Sequence, residues 1–221
     1  MPSTPPSADR RPARRTPSPT GTAATNPPVA VWRPAAWVLL VGGLLGEAAA
    51  LILTVEKYRL ALDPGYITSC DLNPVLSCGS IMTTPQASAF GIPNSLLGVA
   101  GFAVVATVGA ALLAGARTAN WFWAGLQIGV TAGFLFVHWL IWQSLSVIGA
   151  LCPYCMLVWV VTATVFWYVT LASIDRWART PRRQRLAATF RSYQSVPVVA
   201  WIAAVIVLIV VRFWEYWRTL L

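Results

Sequence analysis

The sequence predicts an all-α integral membrane protein with five transmembrane helices. Hydrophobic residues make up 57% of the 221-residue chain and charged residues only 10%, where a soluble domain would carry about a quarter charged residues. Mean hydropathy is +0.64. Several stretches run about 20 residues almost free of charge, the length a helix needs to cross hydrocarbon about 30 Å thick. Lipid offers the backbone no hydrogen-bond partners, so such stretches must be helical.

The five spans fall at about Ala35 to Val55, Ile92 to Ala114, Trp121 to Leu145, Cys152 to Leu171 and Val196 to Trp214. Every gap between them holds charge or turn residues. Residues 1–34 carry nine of the sixteen prolines with arginine doublets, a composition expected to be disordered and cytoplasmic. Arg10-Arg11 and Arg14-Arg15 suggest a twin-arginine signal, but no hydrophobic region follows closely. The first apolar run is too long for a signal peptide and is expected to be retained. Residues 35–174 form the main bundle with an outer loop at 57–91, residues 175–195 a basic cytoplasmic loop, and residues 196–221 the fifth span and a short tail.

Basic residues set the orientation. With the N-terminus inside, twelve arginines lie on inner segments against Lys57, Arg59, Arg212 and Arg218 outside, a positive-inside pattern. The net charge of +9 is thus mainly a topology signal helped by anionic headgroups. No segment supplies a folded basic surface for nucleic acid. This orientation fits a bacterial plasma (inner) membrane protein with its C-terminus on the outer face.

The four cysteines form two sequence pairs, Cys70/Cys78 in the first outer loop and Cys152/Cys155 at the outer end of the fourth span. All four thiols face the side where disulfides persist. Seven residues separate Cys70 from Cys78, with Asn73-Pro74 as a turn signal between them; a loop that short closes and reopens at small entropic cost. In Cys152-Pro153-Tyr154-Cys155, proline favours the first helical position. Cys152 is then at the N-cap, with Cys155 one turn deeper. The helix N-terminus favours the Cys152 thiolate, a good leaving group in thiol–disulfide exchange. Two dithiols at one membrane face suggest electrons passing between soluble thiols and an acceptor in the bilayer. Two inert disulfides bracing a membrane scaffold, or a zinc-binding carrier with four cysteine ligands, are the other readings of the same residues. No metal is expected, because the Cys70/Cys78 spacing is unusual for zinc.

Phe90-Gly91-Ile92-Pro93-Asn94-Ser95-Leu96-Leu97-Gly98, the loop cysteine pair and Leu151-Cys152-Pro153-Tyr154-Cys155 together resemble the vitamin K epoxide reductase family, its bacterial members above all. The resemblance covers about Trp37 to Leu171. It implies a four-helix catalytic bundle with one extra C-terminal span, acting as a quinone-linked thiol–disulfide oxidoreductase that supports disulfide formation. Cys70 would form a mixed disulfide with an exported thioredoxin-fold (DsbA-like) protein, and Cys78 would relay electrons to Cys152. Cys155 would face the quinone, menaquinone or ubiquinone. Asn94 would hydrogen-bond a quinone oxygen and Thr84 would support the site. A tyrosine that contacts quinone in vertebrate members falls at Trp159, whose indole N–H donates only. Many bacterial relatives carry a fused thioredoxin domain after the last span. None follows here before Leu221, so the partner is expected to be a separate protein.

Glu47 and His138 lie inside spans, each eight residues from an outer end, about 12 Å deep at 1.5 Å per residue. Each reads either as a satisfied interhelical hydrogen bond or as a handler of the protons that quinone reduction consumes. Gly125, Gly129 and Gly133, with Gly42 and Gly46, read as close helix packing, and Trp32, Trp37, Trp121, Trp214 and Trp217 as interfacial anchors.

Overall fold

The computed structural model describes residues 32–178 and 180–218, with the side chains of 181–184, 186 and 187 left aside; of residues 1–34, expected to be disordered, 1–31 lie outside this range, while Arg33 and Pro34 belong to the first helix. Among the described residues the regular elements are all helical, with one isolated backbone bridge between Leu76 and Leu151. Four helices are long and apolar enough to cross a membrane: α1 (Arg33–Leu62), α3 (Asn94–Leu113), α4 (Asn120–Trp142) with its continuation Gln143–Ile148, and α5 (Pro153–Trp177). Between α1 and α3 lie a short α2 (Cys78–Met82) and a 3₁₀ turn, Pro85–Ser88. Helices α6 (Pro181–Ser192), α7 (Val196–Arg212) and α8 (Trp214–Arg218) follow α5.

Proline opens these helices and turn signals close them. Pro34, Pro153 and Pro197 sit in first turns, where a missing N–H costs nothing. Helix α1 continues two turns past Val55 because nothing between Val55 and Asp63 interrupts it; Asp63-Pro64 then stops it, since the residue before proline avoids helical backbone. Its 30 residues span about 45 Å, more than the roughly 30 Å of a bilayer's hydrocarbon. Helix α7, at 17 residues and about 25 Å, is shorter than the four others and leaves Val199, Ile206, Val207 and Val211 exposed.

Helices α1 and α3 form the tightest seam. A Cβ on Gly43 would lie 2.5 Å from the Ala106 backbone nitrogen, and one on Gly46 2.5 Å from the Phe102 ring. One on Gly109 would meet the Leu40 backbone. Helix α5 packs against both α1 and α4, burying Val161, Val165 and Val169 among Leu39, Trp123 and Val130. A polar network joins α4 to α5 at the end far from the cysteines: Trp123 Nε1 donates to Ser173 Oγ at 2.8 Å, and Gln127 Nε2 to Thr170 Oγ1 at 3.1 Å.

Glycines of the third span do something else. Nothing lies within 4 Å of a Cβ placed on Gly125 or Gly129, and Gly133 has only Thr162 at 3.9 Å. These residues line an apolar cleft of about 530 Å³ between α3 and α4, floored by Val158, Thr162 and Val165 of α5. Their shared face is real, but across it stands a gap where close packing was expected.

Candidate redox site

The loop after α1 is folded by its own polar side chains. Asn73 Oδ1 accepts from the N–H groups of Val75 and Leu76, at 3.0 and 2.8 Å, which turns the chain between the two loop cysteines. Asp71 reaches across it, its carboxylate accepting from Thr68 N at 3.1 Å and Gly79 N at 3.0 Å. Burial pushes the Asp71 carboxyl up, but the hydrogen bonds from the Thr68 and Ser77 side chains and from the Gly79 and Thr68 N–H groups outweigh it and hold it below the ordinary value. Ser77 caps α2 by accepting from Ser80 N at 3.1 Å. Cys70 and Cys78 are disulfide-bonded with Cα atoms 5.6 Å apart, within the usual range.

Two backbone hydrogen bonds join this loop to the segment before α5. Leu151 N donates to Val75 O at 2.7 Å, and Ser77 N donates to Leu151 O at 2.9 Å. The residues that follow these bonds are Cys78 and Cys152. Their sulfurs consequently lie 2.8 Å apart, both buried. Cys78 carries no hydrogen while paired with Cys70, so only the Cys152 thiol can donate in this contact. Cys152 occupies the N-cap of α5, accepting from Cys155 N at 3.4 Å, as the Cys-Pro-Tyr-Cys spacing predicts. Both Cys152 and Cys155 are free thiols. The sulfurs of Cys70, Cys78 and Cys152 lie within 4.8 Å of one another, but two of the three are bonded together and Cys155 is not among them.

Cys155 faces a cavity of about 120 Å³ between the loop and the ends of α1, α3, α4 and α5, with Thr84, Asn94 and Trp159 in the same wall. Four sequence-derived residues thus meet at one pocket. Asn94 is engaged within the protein: its Nδ2 donates to Gln86 O at 2.7 Å and its Oδ1 accepts from Ala89 N at 3.1 Å, tying the 3₁₀ turn to α3. The Thr84 hydroxyl donates to Ile81 O at 2.7 Å, leaving its oxygen free to accept. Trp159 is 3% exposed. The cavity shares Asn94, Gly98, Phe102, Leu140 and Val158 with the α3–α4 cleft.

Glu47 and His138 line neither cavity. The His138 Nε2 accepts from Trp201 Nε1 at 2.9 Å, and its Nδ1 contacts Phe134 O at 2.8 Å. Because indole only donates, His138 is the neutral tautomer with its proton on Nδ1, and it joins α4 to α7. Glu47 Oε2 is buried without a partner.

Sequence reasoning missed the polar lining residues Lys57, Gln86, Ser95, Gln143 and Ser144. Gln143 was the legible one, an amide within the third predicted span, directly after Trp139-Leu140-Ile141-Trp142.

Helices long enough to span a bilayer, with a disulfide and a second dithiol stacked at one end, define the class as a membrane protein built for thiol–disulfide chemistry. The chain matches the vitamin K epoxide reductase family over residues 37–170. It belongs to that family and is, in general terms, a membrane thiol–disulfide oxidoreductase. No curated protein matches the chain.

Proposed function

We propose that the chain is a membrane thiol:quinone oxidoreductase that reoxidises a separate exported thioredoxin-fold protein and passes two electrons to a membrane quinone. The observation that carries this reading is the pairing of a 2.8 Å Cys78–Cys152 sulfur contact with Cys155 in the wall of a pocket. A reduced partner dithiol attacks Cys70 and releases Cys78 as a thiolate. Cys78 attacks Cys152 of an oxidised Cys152–Cys155 pair and frees Cys155, and the partner's second thiol and Cys70 resolve the two mixed disulfides. The reduced Cys152/Cys155 pair then gives two electrons and two protons to the quinone, re-forming its disulfide and leaving a quinol. Each sulfur exchange is a nucleophilic attack by thiolate. Cys70 is 4% exposed, so the loop must open for the partner to reach it.

Cavity sizes support a quinone as the acceptor. A space of about 120 Å³ is close to one that holds a single six-membered ring, about 150 Å³ for benzene. The adjoining cleft of about 530 Å³, glycine-lined and apolar, has room for an isoprenoid tail. In this reading Asn94, Thr84 and Trp159 surround the ring. Glu47 and His138 are candidates for carrying its protons, and Glu47, with its unpaired oxygen, has the more suitable chemistry. Helix α7 completes a fifth crossing, with the cysteines on the outer face of a bacterial plasma membrane and α6 on the basic inner side.

Replacing Cys78 by Ala in cells tests the relay. The expected result is a reducible adduct through Cys70 with an exported thioredoxin-fold protein. No adduct, with Cys70 still oxidised in the wild type, would instead favour structural disulfides.

A further inference from the structure

We propose that Gln143 and Ser95 are the principal hydrogen-bonding contacts to the quinone's ring oxygens, and that Lys57 is the charge that stabilises the ring as it is reduced. This rests on the quinone reading above. The starting observation is a pair of orphaned atoms: Gln143 Oε1 and Ser95 Oγ are buried with no hydrogen-bond partner, and both residues line the cavity that Cys155 faces. Native proteins leave few buried polar groups unpaired, and each such group calls for a reason. A quinol hydroxyl donating into the cavity supplies a partner for both atoms, and the Ser95 hydroxyl or the Gln143 amide N–H can instead donate to a quinone carbonyl. Gln143 itself is 8% exposed, so bulk water is a poor alternative partner.

Local structure places Gln143 at the cavity. Helix α4 does not end at Trp142 but widens into a π-helical turn, Gln143–Ile148. It closes with Gly149 N donating to Ser144 O at 2.9 Å, Gly149 adopting a left-handed φ of 71°. Such turns redirect side chains and occur often at functional sites. Here Gln143, Ser144 and Ile148 all reach the cavity wall.

The chemistry of these groups suits a ligand that changes from acceptor to donor. Quinone carbonyls only accept, whereas the quinol hydroxyls both donate and accept. An amide and a hydroxyl can each present a donor or an acceptor, so Gln143 and Ser95 can hold both redox forms. Asn94 offers less, having committed its oxygen and one N–H to Ala89 and Gln86. Lys57 is the one cation among the lining residues, which include no carboxylate. Its ammonium donates to Ser88 Oγ at 2.7 Å and Ala87 O at 3.3 Å, leaving one of three donors for the ligand. When electrons arrive from Cys155 ahead of protons the ring becomes anionic, and a fixed cation in a water-poor site favours that charge.

The test uses the full chain in detergent, a reduced thioredoxin-fold donor, and two probes: menadione, and ubiquinone bearing one isoprenoid unit. Quinone reduction, quinone binding by equilibrium dialysis, and reduction of the Cys70–Cys78 disulfide without quinone are measured separately. Gln143→Leu and Ser95→Ala should each raise KM and weaken quinone binding about tenfold, the worth of one hydrogen bond, with quinone-free disulfide reduction unchanged. Lys57→Met should lower kcat more than it raises KM, and Lys57→Arg should restore most of kcat. Ser95→Ala deletes a single atom and keeps the test decisive if Gln143→Leu fails to fold. Wild-type KM and binding in the Gln143 and Ser95 variants would overturn the assignment of the oxygen contacts. Wild-type kcat in Lys57→Met would overturn the role of its charge. A wild-type protein that exchanges thiols yet neither binds nor reduces either quinone would overturn the quinone reading itself.

Discussion

Helix α3 has two neighbours and treats them in opposite ways. Toward α1 it closes until backbones touch at Gly43 and Gly109 and the Phe102 ring meets Gly46. Toward α4 it stands off, and Gly125, Gly129 and Gly133 line the space between. The same residue type, repeated on a helix face, makes a seam in one place and a cleft in the other. The difference lies in what the opposing helix presents. Small side chains in lipid let helices approach, but they compel contact only where the partner offers backbone or a ring to meet them.

Breaking the seam should have the largest effect. Gly43→Val would drive a branched side chain into Ala106 and should destabilise the protein by about 3 kcal/mol, the upper part of the range for overpacking, read by thermal unfolding in detergent. Filling the cleft should separate function from stability. Gly129→Leu should not lower stability, because its Cβ meets nothing, and by removing glycine's backbone freedom from a helix it should raise it by up to about 1 kcal/mol. It should raise KM several-fold for a quinone with a long isoprenoid tail and leave menadione unaffected; equal effects on both quinones would remove the tail from the cleft. Gly129→Ala is a gentler version. It reduces backbone freedom in a helix and should stabilise by about 0.5–1 kcal/mol.

The smallest effect should come from acid, and only at the loop. Asp71 has a carboxyl held below its ordinary value of 3.8. Its contribution is therefore fully present above that unfolded value and is lost as pH falls through the lower, folded one. Between neutral pH and the ordinary value the loop should hold; below 3.8 the protection of the Thr68 and Gly79 amides, measured against their intrinsic exchange rates at the same pH, should fall, while the α1–α3 seam stays protected. Asp71→Asn should lower that protection at every pH.

Much of this was legible in the sequence because it is local. Charge-free runs gave the four long helices, and Cys152-Pro153 gave an N-cap that the structure places as expected. The position of Cys155, Asn94, Thr84 and Trp159 around one pocket followed from the family resemblance. What the sequence hid is set by contacts distant along the chain. Nothing near Cys78 announces that Leu76 will bridge Leu151, and periodicity shows that glycines share a face without showing what faces them. Helix α1 outran its apolar stretch because helix propensity, unlike hydropathy, does not fall at Lys57. Gln143 was visible as an amide within a predicted span, but its role depends on a π-helical turn that leaves no local signature.

The backbone bridge through Leu76 and Leu151 has a kinetic consequence. It does not involve sulfur, so it stays in place whichever cysteines are bonded. The approach of Cys78 to Cys152 is therefore set by the backbone, and in the proposed relay their exchange has the character of an intramolecular reaction with an effective molarity on the order of 10⁵ M or more. A step so favoured does not set the turnover rate. In the proposed relay the slow events are then the two that exchange material with the surroundings, arrival of the soluble dithiol and departure of the reduced lipid carrier, and cellular throughput should follow the supply of both.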